Sequence, residues 1–324
     1  MRILIHFPDP TDATSFYRGL GPLISLKKTN REIEIFSAET WTWNTLLSAD
    51  IAFLQRPFTQ KHQKMAYMIK EHELPLWVDY DDNLLCVPQS NPTHRIFSEA
   101  FERIKDILSI ADVVTVSTLE LARTFSKLNK NVVIVPNGLN EHFFKKLEKT
   151  KRNKIITWRG SKTHEEDLYN FKYELKELSE KHKDFAWVFM GDCPFFIKHY
   201  MKNVHHIPTM DIVEYHTQLK HFRPLAHIVP LVDNAFNKSK SNISWIEGTY
   251  AGASVVAPNW EEWDMVGCYN YSDRASFFTV LDSVLTYELN SIEDSICAIE
   301  SEFLLSKINL KRLEILKNMI DLKT

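Results

Sequence analysis

Glycine is scarce in this chain, with eight in 324 residues. No G-x-G-x-x-G follows a strand-like run and no G-K-[ST] occurs, so the dinucleotide fingerprint and the Walker-type phosphate loop are both missing. There is no H-E-x-x-H and no G-x-S-x-G. These absences weaken the dehydrogenase, kinase, metalloprotease and hydrolase readings. Four widely spaced cysteines (Cys86, Cys193, Cys268, Cys297) form no C-x-x-C pair, which suits reduced thiols in a cytoplasmic protein better than a disulfide frame or a zinc site. Nowhere do about 18 apolar residues run together, and Arg2–Phe7 reads as a strand without a signal-peptide pattern, so a soluble protein is expected. The thirteen histidines form no ligand cluster. His205 and His206 fall on a short strand and read as structural, and no metal site is expected. A net charge of −3 supplies no global basic field to recruit nucleic acid.

What is present is ordinary globular material, 44% apolar and 25% charged. The length suits two α/β domains of about 150 residues each. Short runs rich in Val and Ile predict strands at Ile3–His6, Ile33–Phe36, Ile51–Leu54, Leu76–Asp79, Val113–Val116 and Val132–Val135. Amphipathic stretches at Lys61–Glu71, Arg95–Ile110 and Leu119–Leu128 predict helices between them. The alternation then restarts, with strands at Ile155–Trp158, Trp187–Met190, Ala226–Val229 and Ser254–Ala257. Helices are expected at Asp167–Lys181, Ile212–Lys220 and Ser241–Tyr250, and a helical tail over Ala275–Leu322. Alternating strands and helices mean parallel sheets, here two in succession. The expected division is 1–145 and 146–324. The basic stretch Lys145–Lys154 between the halves reads as a solvated linker or as a phosphate-contacting patch. Ligands of open parallel sheets bind beyond the carboxyl ends of the strands, so two facing domains make a cleft suited to a two-substrate transfer.

Four segments carry the chemistry. At Trp158-Arg159-Gly160-Ser161-Lys162-Thr163-His164-Glu165-Glu166 a strand ends in a tight turn and a helix begins near Thr163, with Thr163 and Glu166 fitting a capping box. Gly160 lets backbone approach a ligand, while Ser161, Arg159 and Lys162 add donors and positive charge. Together they can hold a diphosphate, or they form a plain strand-to-helix turn. From Pro230 to Pro258 a strand leads through a polar loop containing Ser239, Lys240 and Ser241 into a helix carrying Glu247, with Gly252 as its stop. Lys240 and the hydroxyls lie near a helix N-terminus, where anions are favoured. Glu247 can accept hydrogen bonds from two ribose hydroxyls, or it is an exposed helix charge. In the first half, Asp79, Asp81 and Asp82 close a strand. They can orient an acceptor hydroxyl or the sugar, shape the turn, or hold a metal. Ser15, Tyr17 and Arg18, in the loop after the first strand, can contact acceptor or diphosphate, or simply start a helix.

The segment Pro230–Pro258 resembles the donor-binding region of retaining GT-B glycosyltransferases, the large family that includes sucrose- and glycogen-synthase relatives. Val135-Pro136-Asn137-Gly138-Leu139 is similar to the close of their first domain, and Trp158–Leu168 to the opening of their second. The family often has two glutamates separated by seven residues. Glu247 matches the second, whose implied role is ribose binding, but Ser239 stands where the first should be, and Ser239 or Asp233 is the expected replacement. The resemblance implies two Rossmann-like domains facing across a cleft and transfer of a sugar, with retention, from a nucleoside diphosphate sugar to a hydroxyl. A UDP-sugar is the expected donor, and no cofactor is needed. Arg159 and Lys240 would stabilise the leaving diphosphate, and Asp81 would act beside them. The acceptor is expected to be a glycan. Hydroxymethylated cytosine in phage DNA is the alternative, and a non-catalytic nucleotide-sugar-binding protein is the reading from another class.

Overall fold

A computed structural model of the chain describes residues 1–6, 9, 12–38, 41–144 and 151–321. Six parallel strands form the first sheet: Arg2–His6 (β1), Glu34–Phe36 (β2), Ile51–Gln55 (β3), Leu76–Tyr80 (β4), Val113–Val116 (β5) and Val132–Ile134 (β6). Their order is β2-β1-β3-β4-β5-β6. Alternate side chains go to opposite faces, as the period of a strand requires. Leu4, Leu54, Val78 and Val114 pack under the helices Gln60–Glu71, His94–Ile110 and Leu119–Phe125. Ile3, Ile5, Phe53 and Trp77 form a second apolar layer behind the sheet.

The second sheet repeats the pattern with Asn153–Gly160 (β7), Ala186–Gly191 (β8), Val204–Ile207 (β9), Pro224–Ile228 (β10), Ser254–Pro258 (β11) and Tyr269–Tyr271 (β12). The order β12-β11-β10-β7-β8-β9 reverses direction between β7 and β10. That reversal is a topological switch point, where the loops after two adjacent strands diverge and leave a crevice. The loops after β7 and β10 are the two segments singled out above. Between β10 and β11 lies the helix Ile243–Tyr250. It stops where Gly252 takes φ +92°, a left-handed conformation that glycine adopts freely. Gly248 lets the helix lie close on the sheet, since a Cβ there would meet His227 and Val255 at 2.9 Å.

Two Rossmann-like domains facing each other therefore make up the protein, the GT-B architecture expected. The tail is helical as expected, in successive helices at Arg274–Thr286 and Ile292–Ala298 and a wider π-helical turn at Ile299–Phe303, and the chain then crosses back. The last helix, Leu305–Asp321, packs on the first sheet, with Ile308, Ile315, Leu316 and Met319 against the layer of Ile3 and Ile5. The return strand of chain runs beside the outgoing one, joined by Leu139 N–H to the Phe303 carbonyl and Leu305 N–H to the Leu139 carbonyl, each at 2.7 Å. An amphipathic stripe in sequence says that a helix covers a sheet, not which of two sheets it covers.

Candidate functional site

Glu247 sits in the second turn of its helix with no side-chain exposure, walled in by donors. Arg159 Nε, at the end of β7, donates to Oε2 at 2.7 Å. Tyr215 donates to the same oxygen at 3.2 Å, from the helix Ile212–Phe222. Tyr17, from the first domain, donates to Oε1 at 2.7 Å. A carboxylate only accepts, so the single Tyr17 proton faces Glu247, and the 2.7 Å contact to His216 Nε2 requires that nitrogen to carry a proton. Burial alone would raise the Glu247 carboxyl, but Arg159 and then His216 and Tyr17 hold it below its ordinary value. Burial, then Glu247, push the Tyr17 phenol well above its ordinary range, and burial depresses His216 to about 4. The cluster is therefore one carboxylate, one guanidinium and three neutral rings. Beside it opens a recess of about 70 Å³ lined by Glu247, His216, Phe143 and Phe144. The exposed-helix-charge reading of Glu247 is corrected by its burial.

On the first domain, Arg18 and Asp79 form a doubly bonded ion pair, Nε to Oδ1 at 3.0 Å and Nη2 to Oδ2 at 2.7 Å. Thr115 donates to Asp79 Oδ2 at 2.6 Å, and Arg18 Nη1 reaches the Val135 carbonyl and Asn137. Both side chains are almost completely enclosed, at 1% and 2% exposure. Arg18 and Asp79 thus anchor the loop after β1 to β4 and to the chain leaving the domain, rather than facing an acceptor. Ser15 is buried as well, below the Tyr17 turn.

Asp81 and Asp82 stand higher at the cleft. Arg56 grips both, with Nε and Nη2 at 2.8 and 2.9 Å from Asp81 and Nη2 at 2.8 Å from Asp82. Lys240 Nζ comes from the second domain to 3.4 Å from Asp82. Burial raises Asp81 against the pull of Arg56, whereas Lys240 and Arg56 overcome burial to lower Asp82. Two protein cations thus neutralise the pair. Among the described residues no group of three or more His, Cys, Asp or Glu is arranged to hold a metal ion.

The loop around Lys240 is where the domains meet. Asn83 donates to Ser239 Oγ at 3.3 Å, Thr118 to the Ser239 carbonyl at 3.0 Å, and Asn137 to Ser241 Oγ at 2.8 Å. Ser239 has no exposure and its hydroxyl bonds the Ala235 carbonyl, so it does not face an open cleft in place of the missing glutamate. Asp233 is exposed and paired with Lys238 at 2.6 Å. At the other loop Gly160 pairs with Gly191, and Lys162 is exposed. The cap is Ser161, accepting from Thr163 N–H, not Thr163. Glu166 instead reaches Ser90 of the first domain. His164 bonds Asp167, whose other oxygen accepts from Val232 N–H and Asn237 and so ties the loop after β7 to the loop after β10.

Arg56, His164, Asp167, Tyr215 and His216 were not anticipated. Arg56, Tyr215 and His216 lack a local motif, and only a position just beyond a strand or on a helix facing Glu247 could have pointed to them; His164 and Asp167 lie within Trp158–Leu168, where no spacing set them apart. In the basic stretch, Lys145–Thr150 lie outside the described residues. Arg152 bonds Ser254 and the carbonyls of Leu225, Glu288 and Leu289, and Lys154 pairs with Asp184. Arg152 and Lys154 are structural ties rather than a free phosphate patch. No described helix is long and apolar enough to cross a membrane.

No protein-family model and no curated protein matches the sequence. Solved structures do match its fold. HepE of Anabaena, solved in complex with UDP, superposes with a TM-score of 0.60 at 13% identity over 98% of this chain and 99% of that one. A Listeria monocytogenes structure assigned as a UDP-N-acetylglucosamine 2-epimerase gives 0.62 at 11% identity, over 99% and 96%. The pneumococcal O-GlcNAc transferase GtfA, solved with UDP and GlcNAc, gives 0.60 at 8% identity, over 86% of this chain and 59% of that one. At such identities the likeness is one of fold: two facing Rossmann-like domains along the whole chain.

Proposed function

We propose that this protein is a glycosyltransferase that moves a sugar from a nucleoside diphosphate sugar, a UDP-sugar first among candidates, to a hydroxyl of a glycan. The observation that carries the reading is the pair of cations at the second domain's switch point, Arg159 and Lys240, each steadied by a carboxylate (Glu247 and Asp82) and each still partly exposed, at 27% and 17%. A diphosphate laid over the loops after β7 and β10 meets Arg159, Gly160, Ser161, Lys162 and the N-terminal end of the helix Ile243–Tyr250, with Ser241 beside Lys240. As the sugar–phosphate bond breaks, negative charge grows on the leaving diphosphate, and fixed cations in a partly dry cleft stabilise it most there. Glu247 would accept the ribose hydroxyls. Asp81 and Asp82, across the cleft, would orient the sugar or the acceptor. With the sugar retained in configuration, the leaving phosphate itself takes the acceptor's proton.

The full-length fold match to a protein assigned as an epimerase favours a second reading, in which the same cleft inverts a sugar carbon of its nucleotide sugar. Incubation with a panel of nucleotide sugars and glycans separates the two. A transferase consumes sugar nucleotide and releases the diphosphate in step, whereas an epimerase yields a second sugar nucleotide and no net diphosphate. Binding without either product would leave the non-catalytic nucleotide-sugar-binding protein.

A further inference from the structure

We propose that Tyr17 gates the Glu247 site: its hydroxyl occupies the carboxylate position that a nucleotide's ribose takes, and the ligand binds by displacing it. The inference rests on the nucleotide-binding role given to Glu247 above. A carboxylate offers about four acceptor positions. Three are filled, by Arg159, Tyr215 and Tyr17, and His216 Nε2 lies 3.7 Å from Oε1. A diol needs two positions, so at least one protein donor must leave. Arg159 and Tyr215 belong to the same domain as Glu247 and move with it. Tyr17 comes from the other domain, 230 residues away in sequence, at the end of a five-residue helix. Its neighbours fix it to that domain. Arg18 is bolted to Asp79, and Arg312 of the returning helix reaches the Tyr17 carbonyl at 3.5 Å. Tyr17 therefore bonds Glu247 and His216 only when the domains are closed on each other. Opening the cleft withdraws this one donor and leaves Arg159 and Tyr215 in place, so the carboxylate becomes available to a ligand hydroxyl without losing its counter-ion. The cost is a lower apparent affinity, because the competent arrangement is only a fraction of the population.

The test is calorimetric titration of wild type and Tyr17→Phe with UDP. The phenylalanine keeps the ring packing and removes only the competing donor, so UDP should bind about tenfold tighter, the scale of one net hydrogen bond to a charged group. A merely structural Tyr17 predicts unchanged or weaker binding, and either result overturns the gate. Should the variant fold poorly, hydrogen exchange on wild type gives the same answer. UDP should speed exchange at residues 13–19 while protecting residues 159–164, and protection of both segments overturns the gate. Wild type that binds UDP beside an unimproved variant refutes the gate alone; wild type that binds no nucleotide refutes the gate and the donor-site reading together.

Discussion

Replacing Glu247 with glutamine should destabilise the whole protein by about 2–4 kcal/mol, because breaking one side of a buried ion pair leaves the other charge without compensation. The figure follows from the geometry. Glutamine keeps the shape and one acceptor oxygen, but its amide nitrogen must face either Arg159 Nε, now 2.7 Å from Oε2, or Tyr17 Oη, 2.7 Å from Oε1. Facing Arg159, it sets donor against donor and leaves the guanidinium without its counter-ion. Facing Tyr17, it forces that hydroxyl to turn to His216, whose Nε2 proton is already there. A fully enclosed pair would cost about 3–5 kcal/mol, and the 27% exposure of Arg159 lets water recover part of that. Urea unfolding of the full chain measures the change. The Arg159→Leu variant should lose a similar amount. The double variant should lose less than the sum by at least about 1 kcal/mol, since the two share one interaction. A loss below about 1 kcal/mol, or strict additivity, would refute the claim that Glu247 and Arg159 depend on each other.

Acid should weaken the fold well before ordinary carboxylates titrate. His62, His216 and His227 are each depressed from 6.5 to about 4, chiefly by burial, so between those values the unfolded chain binds protons that the folded one does not, and stability falls as pH falls. Each contributes up to about 1.4 kcal/mol per pH unit in that window, and urea midpoints that stay flat between pH 6.5 and 5 would contradict it. Transfer activity should survive a chelator, because Arg56 and Lys240 already neutralise Asp81 and Asp82; loss in chelator with recovery on added magnesium or manganese would make those aspartates metal ligands. Neutralising Lys149 and Lys151 should leave transfer to a glycan near normal and nearly insensitive to salt, whereas DNA retention that falls by about one unit of salt slope per lost contact would point to the DNA acceptor.

The fold was legible because its signal is local. Runs such as Ile51–Leu54 and Val113–Val116, bounded by polar turns, must be buried strands, and their alternation with helices dictates parallel pairing. The form of the loops after β7 and β10 was legible for the same reason, as strand, turn and helix start lie close together in sequence. What could not be read is what joins distant segments. Nothing near Arg18 announces Asp79, and nothing near Tyr17 announces Glu247. Ser239 lies in a polar loop in sequence, yet Asn83 and Thr118 of the other domain cover it. The last helix looked like part of the second domain because it follows it in sequence. A buried pair needs only complementary chemistry at one point in space, and sequence spacing carries no record of that point.

Proton and phosphorus NMR of the purified protein with UDP-sugars and glycan acceptors reads directly whether the proposed transfer of a sugar from a nucleotide sugar takes place. UDP should appear in step with loss of the donor, the new glycosidic bond should keep the donor's anomeric configuration, and Arg159→Ala and Lys240→Ala should both abolish UDP release. A second sugar nucleotide without UDP, or no turnover with any donor, would contradict it.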